Sequence, residues 1–374
     1  MLIQNDSTII HLWQEILQIA ISQRATDIHI EAHQLSTLIR FRIDGDLVTH
    51  KKISASSHDH LIAHIKVSSK LDIAEKRLPQ DGRFSFITEL NHSHKTNVDC
   101  RVSSLPMIYG EKIVVRLLPH SDENLHISNL GFDDWQLKAI QSLLEFPQGL
   151  ILITGPTGSG KTLTLYSLLK SLNNGSRNIS TVEDPAEIKL AGINQVSINE
   201  KVGLDFPKAL RALLRQDPDI IMIGEIRDEC TAKIALQAAQ TGHLVLGTLH
   251  TNSCIATLSR LNNLGCNSDL LASSLLGITA QRLIRKRCTK CIVSLSSNCS
   301  FCAGLGFRGR LAVHEVMPFY PKMRQMLNTS YHPCDLLTLA KSYGMRELFE
   351  NASHLVSLGV TTQKEIESKI GATL

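Results

Sequence analysis

No stretch of the 374-residue chain approaches the ~20 consecutive apolar residues that span a bilayer. Its most apolar segments, Gly149-Leu-Ile-Leu-Ile-Thr154 and Ile220-Ile-Met-Ile223, fall far short, which excludes an integral helical membrane protein. The opening Met1-Leu-Ile-Gln-Asn-Asp-Ser lacks a basic segment followed by an apolar run, so no secretory signal is expected and the chain is expected in the cytoplasm. There is little excess of one charge. Lys and Arg number 39 against 35 Asp and Glu, and a net +4 is too small to argue for nucleic acid by itself. Nine cysteines, an odd number in a chain without a signal, exclude a secreted disulfide framework. With 43% hydrophobic and 20% charged residues, collagen-like, mucin-like and disordered classes drop out as well. A chain of this length can bury a core without a disulfide or metal to hold it. Most of the 16 histidines lie before residue 127 on polar stretches and read as solvated.

What is present divides into regions. Residues 1–118 read as an α+β domain. Leu12, Ile16, Ile19 and Ala20 recur at helical spacing, and the helix is expected to end near Gln23. Ile39, Phe41 and Ile43 alternate into the turn Asp44-Gly45. Leu61 to Leu71 is helical, and strands are expected at 83–88, 98–103 and 113–118. The polar, turn-rich stretch 119–130 reads as a linker. Residues 131–317 then alternate short apolar strands with helical segments. Leu150–Ile153, Ile179–Val182, Ile220–Ile223 and Leu244–Leu246 imply a mostly parallel sheet covered on both faces. Within this region 288–310 is a cysteine- and glycine-rich module. Residues 318–374 read as helical, and no internal repeat is visible.

The chemistry begins with Gly155, Pro156, Thr157, Gly158, Ser159, Gly160, Lys161 and Thr162, which match G-x-x-x-x-G-K-[ST] between an apolar strand and a helical pattern. Glycines let the backbone curl so that its N–H groups converge on phosphate at a helix N-terminus. Lys161 would reach the β- and γ-phosphates, and the Thr162 hydroxyl would ligate Mg²⁺. Hydrolysis also needs acids. Glu183-Asp184 and Glu225 each follow an apolar strand directly, at the end where open parallel sheets place their sites. Either acid alone is an ordinary loop residue; two of them downstream of a phosphate loop suggest one shared site. His243 and His250 bracket a further strand, and chemistry alone leaves their role open.

These motifs, in this order, resemble the secretion ATPase superfamily, in particular the type II secretion and type IV pilus assembly ATPases. The N-terminal matches are Arg24-Ala-Thr-Asp-Ile-His-Ile-Glu31, Arg42-Ile-Asp-Gly45, Leu78-Pro-Gln-Asp-Gly-Arg83, Arg101-Val-Ser103 and Gly110-Glu-Lys-Ile-Val-Val-Arg116. In the core they are the phosphate loop, Thr181-Val-Glu-Asp-Pro185, the run Leu214 to Asp228, Thr241 to Asn252, and Ala280-Gln-Arg-Leu283. The resemblance implies a RecA-like P-loop NTPase core with a parallel sheet, preceded by a smaller α+β, PAS-like domain. It implies Glu183 as general base and Glu225 as a holder of Mg²⁺ and water. His243 and His250 are implied near the γ-phosphate, with Arg101 and Arg116 approaching the nucleotide phosphates. The implied protein is a homo-hexamer that uses ATP and Mg²⁺. It would power assembly of a pilus or pseudopilus at the cytoplasmic face of the inner membrane, with platform and assembly proteins as partners and without direct nucleic acid binding. Long members carry an extra N-terminal docking domain. Here the recognisable domain begins within about twenty residues of Met1, so a compact form is expected.

Cys288, Cys291, Cys299 and Cys302 form C-x₂-C-x₇-C-x₂-C, two knuckles suited to a tetrahedral, structural Zn²⁺. Family members of the assembly type carry such a module, usually with a longer insertion. The remaining cysteines, Cys100, Cys230, Cys254, Cys266 and Cys334, read as packing residues. The basic run Arg282-Leu-Ile-Arg-Lys-Arg287 reads as a solvated face. Pilus retraction and conjugation-type ATPases are the alternative motors, and both lack the tetracysteine module. A nucleotide-binding scaffold without turnover is the alternative of another class; intact Lys161, Thr162, Glu183 and Glu225 argue against it.

Overall fold

The structure, a computed structural model, describes residues 3–89, 95–119, 125–291, 299, 301–302, 304–329 and 332–371. Two compact units divide between Ser121 and Asp122. The first contains α1 (Ile3–Ser22), β1 (Ala25–His33), β2 (Ser36–Ile43), β3 (Asp46–Ser54), α2 (His58–Ser68), β4 (Gln80–Glu89), β5 (Lys95–Met107) and β6 (Gly110–Pro119). Its six strands form an antiparallel sheet in the order β3-β2-β1-β6-β5-β4. Strand periodicity of two sorts the side chains. Ile28, Ile30, Ile39, Phe41, Val98, Cys100, Val102, Ile113 and Val115 are buried with Trp13, Ile16 and Leu17 of α1 and Leu61 and Ile65 of α2. Residues between them, among them Asp27, Arg101 and Arg116, project from the opposite face.

Strands β1 and β3 were not expected from the sequence; their alternation runs through polar residues such as Thr26-Asp27 and His50-Lys51-Lys52. The expectation of solvated histidines needs correction. His58 is buried, its Nδ1 within 3.0 Å of Thr37 Oγ1, and the ring nitrogens of His29 are buried too. Desolvation, aided by the charges of Lys112 and Arg42, pulls His29 below its ordinary pKa.

The second unit continues with α3 (Asp134–Leu144), β7 (Gly149–Thr154), α4 (Lys161–Leu172), β8 (Ile179–Glu183), β9 (Asn194–Ser197), α5 (Phe206–Leu213), β10 (Ile220–Ile223), α6 (Glu229–Gln240), β11 (Leu244–Leu249), α7 (Cys254–Asn263) and α8 (Ser268–Ser274). It ends with β12 (Leu275–Arg287), β13 (Phe307–Pro318), α9 (Pro321–Leu327), α10 (Pro333–Ser342), α11 (Leu348–Ser357) and α12 (Gln363–Ile370). The seven-stranded sheet has the order β13-β12-β7-β11-β10-β8-β9 and is parallel except for the β12–β13 pair. Every residue of β7, β8, β10 and β11 is buried, as an apolar strand covered on both faces requires. One face packs under α5, α6 and α7, with the C-terminal helices in the same core; the other packs under α3 and α4.

The expected linker resolves in part. Positions 120–124 lie outside the described residues, while Leu125 and Leu130 are buried in the core of the second unit or against it. The long β12–β13 hairpin was not expected. Its basic end read as a solvated run, yet Arg285 donates to buried Glu365 and Ile284 is core. Cys100, Cys254 and Cys266 are buried, whereas Cys230 and Cys334 are exposed, the Cys230 Sγ accepting from Arg211 at 3.1 Å.

Candidate functional site: a phosphate loop and its acids

Parallel register decides what meets at the top of the second sheet. Leu249 pairs with Thr154, Gly247 with Ile223, and Val182 with Ile223. The residues that follow each strand, Gly155, Glu183–Asp184, Gly224–Glu225 and His250, therefore emerge together. The loop between β7 and α4 depends on glycine at its ends. Gly155 has φ +149°, and a Cβ there would lie 2.5 Å from the Gln281 carbonyl oxygen. Gly160, at φ +90°, turns the chain into α4 with Lys161 as its first residue. Lys161 is nine-tenths buried, and its Nζ donates to the carbonyls of Gly155 (2.8 Å) and Pro156 (3.2 Å). Burial pulls this ammonium down to about 8; the Glu225 carboxylate opposes the shift and the Arg282 cation adds to it.

His250 bridges the lysine and the second acid. Its Nδ1 lies 3.4 Å from Lys161 Nζ and its Nε2 lies 3.1 Å from Glu225 Oε1. Arg227 donates to the other Glu225 oxygen at 2.7 Å and reaches Asp184 at 3.5 Å. Burial alone would raise the Glu225 carboxyl, but the Arg227 hydrogen bond and the charges of His250 and Arg227 outweigh it and hold the group below its ordinary range.

Glu183 is set differently. It is buried at the end of β8, and its carboxylate accepts from Tyr166 Oη, from Thr181 Oγ1 (2.6 Å) and from Gln195 Nε2 (3.1 Å). A carboxylate offers about four lone-pair sites. Three are taken, which leaves one for a water. Burial and the neighbouring Glu183 push the Tyr166 phenol above its ordinary pKa, so it stays a donor.

The two histidines separate. His250 stands at the loop, whereas His243 precedes β11 at its other end, where its carbonyl accepts from Gly149 N and its Nδ1 faces the Ala238 carbonyl at 3.0 Å. Seven strand steps put the two histidines roughly 20 Å apart. The expectation that both stand near the γ-phosphate is therefore corrected for His243 in its own chain: strand length carries it to the opposite edge of the sheet. Thr162 is half-buried beside Lys161, and Ser159 Oγ is buried without a partner among the described residues.

Several supporting residues lie in segments noted in the sequence but had no role assigned to them there. Gln281 donates to the Ser159 carbonyl (2.7 Å) and accepts from Thr164 (2.9 Å), bracing the loop from β12. Thr154 and Thr251 share a 2.6 Å hydroxyl contact that ties β7 to the turn after His250. The signal that could have found Gln281 was a polar residue interrupting an apolar strand, Leu275 to Ala280, level with the loop.

In the first unit, Arg101 and Arg116 are direct cross-strand partners. The same transverse row includes Arg83 opposite Arg101, Asp27 opposite Arg116, and Arg42 opposite Asp27. Within this row Asp27 is the carboxylate set among four guanidinium groups, and Asp81, two residues before Arg83 on β4, lines the same hollow. Asp27 accepts from Arg116 at 3.0 Å and lies 4.0 Å from Arg42. Like charges placed opposite one another are unfavourable, and Arg83, Arg101 and Arg116 line a hollow of 460 Å³ together with Asp27 and Asp81.

The sulfurs of Cys288, Cys291, Cys299 and Cys302 all lie within 4.8 Å of one another. A tetrahedral ZnS₄ centre with Zn–S near ~2.3 Å needs sulfurs about 3.8 Å apart, so the donor set fits a zinc ion. The Cys288 amide donates to Gly306 O (2.9 Å), and Phe301 packs beneath the Arg308 guanidinium at 4.0 Å. Residues 292–298 of the module lie outside the described residues.

The profile of a family described as "Type II/IV secretion system protein" matches residues 3–368. The chain is 42% identical over 371 residues to the type II secretion system protein HxcR of Pseudomonas aeruginosa, covering 97% of this chain and 77% of that protein. It is 41% identical over 387 residues to the type IV pilus assembly ATPase PilB of Myxococcus xanthus, covering 97% and 68%. Among solved structures, that of the pilus retraction motor PilT with bound ADP is similar with a TM-score of 0.65 at 26% identity, covering 95% of this chain and 96% of that one.

Proposed function

The chain belongs to the type II/IV secretion system protein family, and from that premise we propose that it is a Mg²⁺-dependent ATPase driving assembly of a type IV pilus or type II secretion pseudopilus. The observation that carries the reading is the continuous chain Lys161–His250–Glu225 at the mouth of the phosphate loop. A cation, an imidazole and a carboxylate held ionised are the groups that binding and hydrolysis of a terminal phosphate call for.

The loop amides and Lys161 hold the polyphosphate. Thr162 and Glu225 would hold Mg²⁺, which would supply positive charge to offset that of the polyphosphate. Glu183 takes the proton of the attacking water at its one remaining lone-pair site, while Tyr166, Thr181 and Gln195 fix its orientation. His250 links the state of the phosphate to the turn that follows it. Arg101 and Arg116 supply charge to the transferred phosphoryl group. Their row keeps a surplus of cations that a phosphate would relieve.

The protein works as a hexamer beside the platform and assembly proteins of its system, at the cytoplasmic face of the inner membrane. Among the described residues no helix is long and apolar enough to cross a membrane. Cys288, Cys291, Cys299 and Cys302 hold a structural zinc ion, since four thiolates leave no open coordination position for water. This cluster supports assembly over retraction as the direction of the motor. Steady-state phosphate release with Mg²⁺–ATP tests the reading. Turnover that Lys161→Ala abolishes is expected; ATP binding without any turnover would make the chain a scaffold.

A further inference from the structure

Arg282 follows Gln281 on β12 and points away from it, as strand alternation requires. Its guanidinium has two anchors. Nη1 donates to the Gln281 carbonyl at 3.0 Å, the oxygen against which Gly155 is packed. Nη2 donates to Asn252, to Oδ1 at 3.0 Å and to the main-chain oxygen at 3.4 Å, two residues beyond His250. The Gln281 carbonyl, packed against the first residue of the phosphate loop, and the turn after His250 thus anchor the cation. These contacts use at most three of the five N–H donors of an arginine.

No carboxylate lies within ion-pair distance of Arg282 among the described residues. Glu225 is engaged by Arg227 and His250. Buried Glu315, the carboxylate whose charge acts on Arg282, is committed to the amides of Cys254 (2.7 Å) and Leu348 (3.2 Å). A half-buried cation without a counter-ion is costly. It is tolerable where an anion arrives in the working cycle.

We propose that Arg282 is a nucleotide-binding residue acting within its own chain, donating to the terminal phosphate of bound ATP. The loop glycines cradle the inner phosphates. Arg282 is held instead on the side of His250, where Glu225 stands and the polyphosphate ends. ADP lacks that phosphate, so Arg282 distinguishes ATP from ADP. This role differs from that of Arg101 and Arg116, which lie in the other unit, and it rests on the ATPase reading above.

The test is calorimetric titration of the full chain with Mg²⁺–AMPPNP and with Mg²⁺–ADP, comparing wild type, Arg282→Met and Arg282→Gln. Met keeps volume and Gln keeps hydrogen bonding, and melting curves identify folded variants. A lost charge-assisted contact predicts AMPPNP binding roughly ten- to hundred-fold weaker, with ADP changed less than about threefold. Unchanged AMPPNP binding, or an equal loss for both nucleotides, overturns the proposal. Should neither variant fold, phenylglyoxal labelling of the unaltered chain serves, with the Arg282 peptide read by mass spectrometry. Protection by AMPPNP and not by ADP is expected, and equal labelling under both overturns it. If wild type binds neither nucleotide, the ATPase reading fails instead, and Lys161→Ala supplies the reference for lost binding.

Discussion

Raising the pH should loosen ATP because Lys161 loses its proton. Burial pulls the Lys161 ammonium down to about 8 in the nucleotide-free site. Bound phosphates favour the charged form, so the nucleotide-bound pKa must lie higher. The sign follows: below pH 8 the lysine is already charged and binding takes up almost no proton. Above it, binding must first recharge the amine. A pKa of about 8 leaves the lysine about 90% protonated at pH 7 and about 10% at pH 9. The dissociation constant for ATP should therefore rise roughly tenfold between pH 7 and pH 9, with uptake approaching one proton per nucleotide at pH 9. Calorimetry in two buffers of different ionisation heat measures both quantities. Lys161→Ala should bind weakly and show no such rise. A wild-type dissociation constant flat within twofold from pH 7 to 9.5 would refute the argument, since it would mean that the Gly155 and Pro156 carbonyls and Glu225 keep the ammonium charged. In the nucleotide-free chain, folding stability should increase from about pH 8 towards the ordinary lysine value of 10.5, because there the unfolded chain holds a proton that the folded chain has released.

Four further outcomes are expected. Glu183→Gln should still bind ATP but hydrolyse it at least ~10²-fold more slowly; undiminished phosphate release would move the base to Glu225 or Asp184. Tyr166→Phe removes a buried donor from Glu183, and an unmet buried acceptor costs about 1–3 kcal/mol, readable as a lower melting temperature. Metal analysis of protein purified without chelator should find one zinc per chain, lost on replacing Cys288, Cys291, Cys299 or Cys302 by Ser, with ATP binding intact. Arg101→Ala and Arg116→Ala should each lower turnover strongly without weakening ATP binding to the phosphate loop; normal turnover in both would remove them from the chemistry.

Local order in the chain was enough to identify the phosphate loop, the four central strands of the second sheet and the paired cysteine knuckles. Each is specified by neighbours within about ten residues: an apolar run, a glycine where the backbone must turn sharply, two cysteines three apart. The strands β1, β3, β12 and β13 were not legible. Their alternation passes through charged and polar residues, and only pairing across the sheet supplies the buried face that makes those residues strands.

At the site itself the tertiary structure decided what spacing could not. His243 and His250 look equivalent along the chain, yet a strand of six residues carries them to opposite edges of the sheet. Glu183 and Glu225 both follow apolar strands, but one is clamped by three donors from α4, β8 and β9 while the other faces Lys161 through His250. The arginine row exists because antiparallel register sets Arg83, Arg101, Arg116 and Arg42 in line, although they come from four strands. Arg282 looked like the first residue of a solvated basic run; parallel pairing of β12 with β7 sets it level with the phosphate loop instead. Residue type and local period determine which elements form. Register and strand length, which depend on partners tens to hundreds of residues away, determine which of their side chains meet.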